Sequence, residues 1–244
     1  MLILGIESSA LVASAALLGD EKLIAEYTVN NALTHSQTLM PMIDAVFESA
    51  RIDISAVDAI AISRGPGSFT GLRIGSATAK GLGLALDKPL IEVPTLEAMA
   101  YGSYGMTDRI ICPIMDARRS EVSYGAYCFE EDTSCTGPEK KYIMKTVLEE
   151  GAQPVEGLVE KLNLLGRPVL FLGDGVPPYK SIIGEKIQVD HSFACEFVSR
   201  QRAANVAALG ARMYRDGKTI PAREHTPVYL RVSQAERERL ESGL

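Results

Sequence analysis

A basic surplus is the first thing this sequence lacks. Its 25 Lys and Arg are outnumbered by 31 Asp and Glu, for a net charge of −6. A stand-alone nucleic-acid binder ordinarily presents a strong basic excess, so that class is disfavoured, although the total still permits a local basic patch. Histidine is scarce as well: His35, His191 and His225 stand far apart. The four cysteines (Cys112, Cys128, Cys135, Cys195) form no C-x-x-C pair, which argues against a secreted disulfide framework. Cys112 and Cys128 fall in apolar, strand-like runs, where buried free thiols are expected. No apolar stretch is long enough to span a membrane, and no basic segment precedes the first apolar run. The expectation is a soluble, cytoplasmic chain with no membrane partner.

A complete glycine phosphate motif is also missing. The stretch ISRGPGSFTGLRIG, residues 62–75, runs from an apolar strand candidate through a glycine loop into a helical pattern, an arrangement that often holds phosphate. A Walker A loop needs four residues between two glycines, followed by Lys and Ser or Thr; Gly65, Gly67 and Gly71 do not give that spacing. The dinucleotide fingerprint needs a third glycine or alanine where Thr70 stands. Two readings remain. One is a generic anion site built from helix-start amides with Ser68 and Thr70. The other is a tight turn that uses glycine for its backbone angles.

What is present is a 46% hydrophobic chain of 244 residues, enough for a sizeable core. LILGI, LVASAALLG and KLIAEYTV read as three strands joined by tight turns. Thr34 and Gln37 have capping-box spacing, and Leu39, Met40, Ile43, Val46, Phe47 and Ala50 follow at helical spacing. A strand is expected at 57–63, a helix at 71–86, a strand at 89–94 and a helix from Thr95. Near residue 109 the pattern restarts with RIICPIM, VSYGAYCF and a strand at 141–147; a helix follows through Val155, Leu158, Val159 and Leu162, then a strand running into a loop at 167–175. This reads as an internal duplication. A last helix, with Ser199 as its cap, carries Ala203, Val206, Ala207 and Gly210 on one face. The charged end AERERLES reads as a solvated helix or frayed tail.

GIESS near the start, DAIAISRGPGSFTGLRIGSATAKGLGLAL, MDARRSEV, GDG and PVYLR together resemble the TsaB family, also called YeaZ, over the whole chain. The duplicated plan is similar to the actin-like ATPase fold (ASKHA, RNase H-like), an α/β fold of two duplicated subdomains. The resemblance implies an N-terminal subdomain over 1–105 carrying dimerisation helices and a second over 106–220. Its last helix, about 199–215, would pack back on the first, and 221–244 would form a tail. The family serves in making threonylcarbamoyladenosine in tRNA and is paralogous to TsaD, which transfers the threonylcarbamoyl group. TsaD-like sequences carry two metal-binding histidines four apart; here Thr95 and Met99 stand in their places, and only Glu97 remains between them. The implied metal therefore belongs to the partner only. Where TsaD-like sequences have an SGGHT turn, this one has DARRS. Ala117 and Arg118 replace glycines and Arg119 replaces the histidine, so side chains should obstruct close backbone approach to phosphate. Arg118 and Arg119 then either bind an anion through their guanidinium groups or are exposed hairpin arginines.

Glu7 and Asp116 occupy comparable places in the two repeats and read as inherited acids. Gly173, Asp174 and Gly175 sit where the fold cups adenosine, although a plain strand-to-helix turn demands the same glycines. With Ser68 and Thr70 these residues make a candidate vestigial nucleotide site. No catalytic residue and no tightly bound cofactor is assigned to this chain; ATP or ADP is expected at a partner junction.

Gly71, Gly75, Ala79 and Gly83 recur every four residues, a row on one side of a helix. Glycine inside a helix costs about 1 kcal/mol relative to alanine, so close approach by another element is expected. That element is either the chain's own sheet or a helix of another subunit. The resemblance favours the second, with Leu72 beside the row and Leu39, Ile43, Val46 and Phe47 divided between core and interface. The implied function is a non-catalytic dimerisation subunit that binds and activates TsaD. The implied assembly is a homodimer when the chain is alone, with TsaE as a further ATPase partner and tRNA contacted indirectly. The alternatives are an ATP-dependent phosphotransferase, a glycoprotease-like peptidase acting on its own, or a structural homodimer with an unrelated partner. Three scattered histidines give no arrangement for a serine peptidase.

Overall fold

The computed structural model describes residues 1–31, 34–135 and 140–229. Strands β1 (Leu2–Glu7), β2 (Val12–Gly19) and β3 (Lys22–Asn30) form an antiparallel meander. Helix α1 (His35–Ala50), strand β4 (Ala59–Gly65), helix α2 (Phe69–Leu86) and strand β5 (Leu90–Pro94) follow, with β4 parallel to β1 and β5 parallel to β4. The sheet order is β3-β2-β1-β4-β5. After α3 (Thr95–Tyr101) the plan repeats: β6 (Ile110–Asp116), β7 (Glu121–Glu131), β8 (Tyr142–Pro154), α4 (Val155–Leu165), β9 (Val169–Leu172), α5 (Val176–Lys186) and β10 (His191–Phe193). The second sheet runs β8-β7-β6-β9-β10 when counted from the same side. Two five-stranded sheets built to one order are the duplicated subdomains of the actin-like ATPase fold.

The strands read as nearly continuous apolar runs because both faces are covered. In β1, Leu4 and Ile6 join the core formed with Leu39, Ile43 and Val46 of α1 and Ala79 of α2. Ile3 points to the opposite face, where Val206 and Ala207 of a late helix, α7 (Ala203–Arg215), pack. Gly5 lies on that face against Ala207, a contact too close for any side chain. In the second sheet, Ile110, Cys112 and Ile114 pack toward α4 and α5. Ile111 and Met115 pack toward Leu96, Met99 and Ala100 of α3, so α3 is shared between the two sheets. Cys112 is buried, and desolvation pushes its thiol pKa up.

Several local readings are corrected. Ser199 ends a short helix, α6 (Glu196–Ser199), and its Oγ accepts the Gly173 N–H at 2.8 Å rather than capping the next helix. Helix α7 is capped from the first sheet: Ala203 N–H donates to Ser14 Oγ at 3.1 Å and Ala204 N–H to Glu26 at 3.1 Å, with Arg202 paired to Glu26. Thr34 does stand at the start of α1, but its side chain makes no cap bond, and Gln37 N–H goes to the Thr34 carbonyl instead. The strand read at 141–147 extends to Pro154. Helix α5 has no counterpart in the sequence reading, because Pro177 and Pro178 look like breakers; they stand in its first turn, where proline is tolerated.

From Lys218 the chain returns along the first subdomain. Ile220 and Leu90 exchange two backbone bonds of 2.9 Å, which covers the free edge of β5. Ala222 fills the space over Gly83, and the buried His225 bonds Glu92 at 2.7 Å. Val228 N–H then reaches the Arg64 carbonyl at 2.7 Å. PVYLR runs past residue 229, and the charged end AERERLES lies outside the described residues.

Candidate functional site

Four turns converge between the subdomains. The β1–β2 turn supplies Ser9, Ala10 and Leu11, the β4–α2 turn Pro66 to Phe69, the β6–β7 turn Asp116 to Arg118, and the loop after β9 Asp174. With Met115, Ser123 and Tyr229 they line a cleft of about 360 Å³. Of the candidate nucleotide residues, Ser68, Asp116, Arg118 and Asp174 meet here. Ser68 caps α2, its Oγ accepting the Gly71 N–H at 3.3 Å. Asp116 accepts the Arg118 N–H at 2.8 Å and the Tyr179 hydroxyl at 3.0 Å. Burial and the Asp116 charge push the Tyr179 pKa up to about 12. Burial raises that of Asp174, whose carboxylate takes a bond from Gln201 at 3.2 Å.

The other candidates stand apart from the cleft. Glu7 is 1% exposed and turned inward, accepting Ser9 N–H at 2.6 Å and Ser63 Oγ–H at 3.1 Å; burial pushes its pKa up. Thr70 and Arg119 are exposed and do not line the cleft. Gly173 (φ +108°) and Gly175 lie against the Ile114 carbonyl, so these glycines serve the chain's own packing. Sequence reasoning missed Ser9, Phe69 and Tyr229. Tyr229 packs against Phe69 with ring centroids 4.9 Å apart and planes tilted by 37°, and its hydroxyl accepts from Arg73 at 3.2 Å. Their separation of 160 positions left no local signal.

A nucleoside triphosphate fits these residues poorly. Arg118, Arg119 and Ser120 have φ of 67°, 55° and 63°, the left-handed region that glycine prefers. The turn keeps a glycine-like backbone while carrying side chains where phosphates would lie. Among the described residues Arg118 is the one cation in the lining, and its guanidinium already lies 3.6 Å from the Asp116 carboxylate on the same turn. Thr95 and Met99, at the positions of the TsaD histidines, are buried at 0% and 2% exposure, Met99 in the layer between the sheets.

The row on α2 requires a correction. A Cβ on Gly71 would strike the Ser8 carbonyl, one on Gly75 the Ser8 hydroxyl, and one on Gly83 the Ala222 methyl at 2.7 Å. Ala79 is wholly buried and Leu72 nearly so. The row therefore packs on this chain's own turn, sheet and returning segment. Leu39, Ile43, Val46 and Phe47 likewise all belong to the core, at no more than 6% exposure. What α2 offers to solvent is its other side: Thr70, Arg73, Ala77, Gly81, Leu84 and Ala85 are exposed, with Leu84 at 62%. Nothing approaches within 4 Å of the space a Gly81 Cβ would take.

A sequence-family model described as TsaD, tRNA N6-adenosine threonylcarbamoyltransferase, matches residues 23–238. The chain is 30% identical to the tRNA threonylcarbamoyladenosine biosynthesis protein TsaB of Bacillus subtilis, covering 99% of both chains. It is also 30% identical to that of Escherichia coli, covering 96% of both. The chain belongs to the TsaB family. The solved structure of YeaZ from Pseudomonas aeruginosa superposes with a TM-score of 0.76 at 26% identity, over 94% of this chain and 99% of that one. The TsaB match spans both sheets and the returning segment, so the cleft and the solvent side of α2 both lie within it. Among the described residues no helix is long and apolar enough to cross a membrane.

Proposed function

We propose that this chain is a non-catalytic subunit in tRNA threonylcarbamoyladenosine biosynthesis. It binds TsaD and holds it in an active arrangement while TsaD transfers the threonylcarbamoyl group to the adenosine next to the anticodon. The observation that carries this reading is the solvent side of α2. A surface helix ordinarily turns charged residues outward, but the outward residues here are mainly small or apolar, and Arg73 is the charged one among them. Small residues let a second helix approach closely, and Leu84 supplies apolar area to bury. To activate TsaD, the contact must favour one conformation of the partner over others. Without TsaD the same face serves a second copy of the chain. TsaE is the further subunit of the assembly, tRNA is gripped mainly through the partner, and ATP or ADP belongs at the partner junction.

Gly81→Arg tests this without disturbing the fold, since the site is open and helical. Thermal stability should not fall, since arginine is a better helix former than glycine, while association with TsaD and formation of modified tRNA fall at least about tenfold, a loss of about 1.4 kcal/mol in binding. Normal association by this variant would remove α2 from the interface. The purified chain should turn over no ATP unless TsaD is present; turnover by a TsaD-free sample would instead favour the phosphotransferase reading.

A further inference from the structure

One end of the solvent side of α2 carries a charge that is already held in place. Arg73 stands one turn from Phe69, and its guanidinium carbon lies 3.8 Å from the centroid of the Phe69 ring. Its Nε donates to the Tyr229 hydroxyl at 3.2 Å. Tyr229 is fixed in turn by the returning segment, where Val228 N–H donates to the Arg64 carbonyl at 2.7 Å and the Val228 carbonyl packs close against Gly65. One face and the Nε edge of the guanidinium are thus taken. Nη1 and Nη2 have no partner among the described residues, and no carboxylate of those residues forms an ion pair with Arg73. Phe69 and Tyr229 are 39% and 37% exposed, so two rings flank the charge at the surface. Leu84 marks the other end of the same side, about 16 Å along the helix at 1.5 Å per residue, with Ala77 and Gly81 between.

An exposed ion pair is ordinarily worth little, because ordering two long side chains offsets the attraction. Here one side chain is ordered before any partner arrives, and such preorganisation raises affinity. A planar guanidinium with its two terminal nitrogens free offers a fork, the shape that takes a carboxylate bidentately. Rings that exclude water around the charge strengthen the bond, as at interface hot spots. Closing a surface over Arg73 with no carboxylate opposite would strand a charge away from water, at high cost. The same residue therefore attracts a partner with an acid at this place and rejects one without it.

We propose that Arg73 is the specificity-determining residue of the docking side of α2 and seats an Asp or Glu side chain of TsaD in a forked ion pair, with Tyr229 as its positioning residue. This rests on the reading of α2 as the TsaD-binding helix, which Gly81→Arg tests separately. Arg73 is not among the residues lining the cleft, so the pair is a protein–protein contact.

Calorimetry of the full chain with TsaD, free of nucleotide, at low and high sodium chloride measures the pairing. Arg73→Gln should weaken association about tenfold and lower its dependence on salt. Arg73→Lys should keep the salt dependence but only part of the affinity, since an ammonium offers no planar fork. Arg73→Glu should be weaker than Arg73→Gln. Tyr229→Phe keeps the ring and frees Nε; it should cost about threefold in affinity, and nothing further in the Arg73→Gln background, which a merely structural role would not give. Arg73 is exposed, so its variants should stay folded, which their melting temperatures check. Replacing single Asp or Glu residues of TsaD with arginine should, at one position, restore affinity for Arg73→Glu. Unchanged affinity in Arg73→Gln beside a loss in Gly81→Arg would overturn this proposal and leave the docking reading standing; unchanged affinity in both would overturn the two together. Failure of every acid reversal in TsaD, or a loss at Arg73 that emerges only when ADP is added, would likewise overturn the carboxylate pairing.

Discussion

Gly75 has no room for a methyl group. The Ser8 hydroxyl occupies that space and donates to the Gly71 carbonyl at 2.9 Å, while Ile62 stands 3.1 Å from the position a Cβ would take. Alanine at 75 would gain up to about 1 kcal/mol of helix propensity, but overpacking at a buried site costs about 1–3 kcal/mol. Gly75→Ala should therefore be net destabilising. Ser8→Ala removes the obstructing oxygen and one hydrogen bond worth about 1 kcal/mol. The double variant should be more stable than the sum of the two single losses. Urea unfolding of the four proteins gives that coupling, and simple additivity would show that the two residues do not compete for space. The sequence shows a small residue every fourth position; it does not show that Ser8, more than sixty residues earlier, is what Gly71 and Gly75 accommodate.

Helix α2 as a whole carries two small-residue sides. One, with Gly71, Gly75, Ala79 and Gly83, is buried; the other, with Ala77, Gly81 and Ala85, faces solvent. Gly81→Ala should thus stabilise the isolated chain by up to about 1 kcal/mol, because the space is open and the backbone helical. A higher melting temperature for this variant, beside a lower one for Gly75→Ala, would separate the two sides experimentally; a fall at Gly81 would contradict the open geometry. Periodicity identified the helix to within two residues of its start, since the pattern repeats locally. It could not choose between the sides, because small residues satisfy both a tight internal contact and an external one. The cap of α7 was illegible for a related reason: Ser14 and Glu26 reach it from strands 189 and 178 residues earlier.

The two halves of the molecule meet at a pair of acids. Burial pushes up the pKa of both Glu97 on α3 and Glu150 on β8; the Glu97 charge adds to the rise at Glu150, and the Glu149 charge adds to that at Glu97. Tyr127 donates to Glu150 at 3.2 Å, and Arg64 nearby partly opposes the shift. The Glu150 carboxyl is pushed from an ordinary value of 4.5 up to about 7. A carboxyl whose pKa is higher folded than unfolded holds its proton better in the native state. Its contribution is therefore complete below about pH 4.5 and is lost as pH rises through about 7. Glu150→Gln should flatten that part of the stability profile and make the protein relatively more stable at pH 8 than the unaltered chain. Melting temperatures from pH 5 to 8 check this, and an unchanged slope would place the titration elsewhere. The duplication itself was legible, because each sheet repeats the same order of runs and turns. The meeting of Glu97 with Glu150 was not, since their separation in sequence carries no information about how the sheets face each other.

By itself the sequence determined the order of the strands and helices up to β9, the twofold plan and the loss of the TsaD histidine pair at Thr95 and Met99. These follow from residue identity and short-range spacing, which act before any distant contact forms. The tertiary structure decided which side of α2 is buried, that the segment after Lys218 returns to cover β5, and that Ser9, Ser68, Arg118 and Tyr229 share one cleft. The glycine loop in ISRGPGSFTGLRIG shows the division. Its turn and helix were written locally, but the reason for its glycines is the close approach of Ser8, Ser9 and Val228, which only packing brings to it.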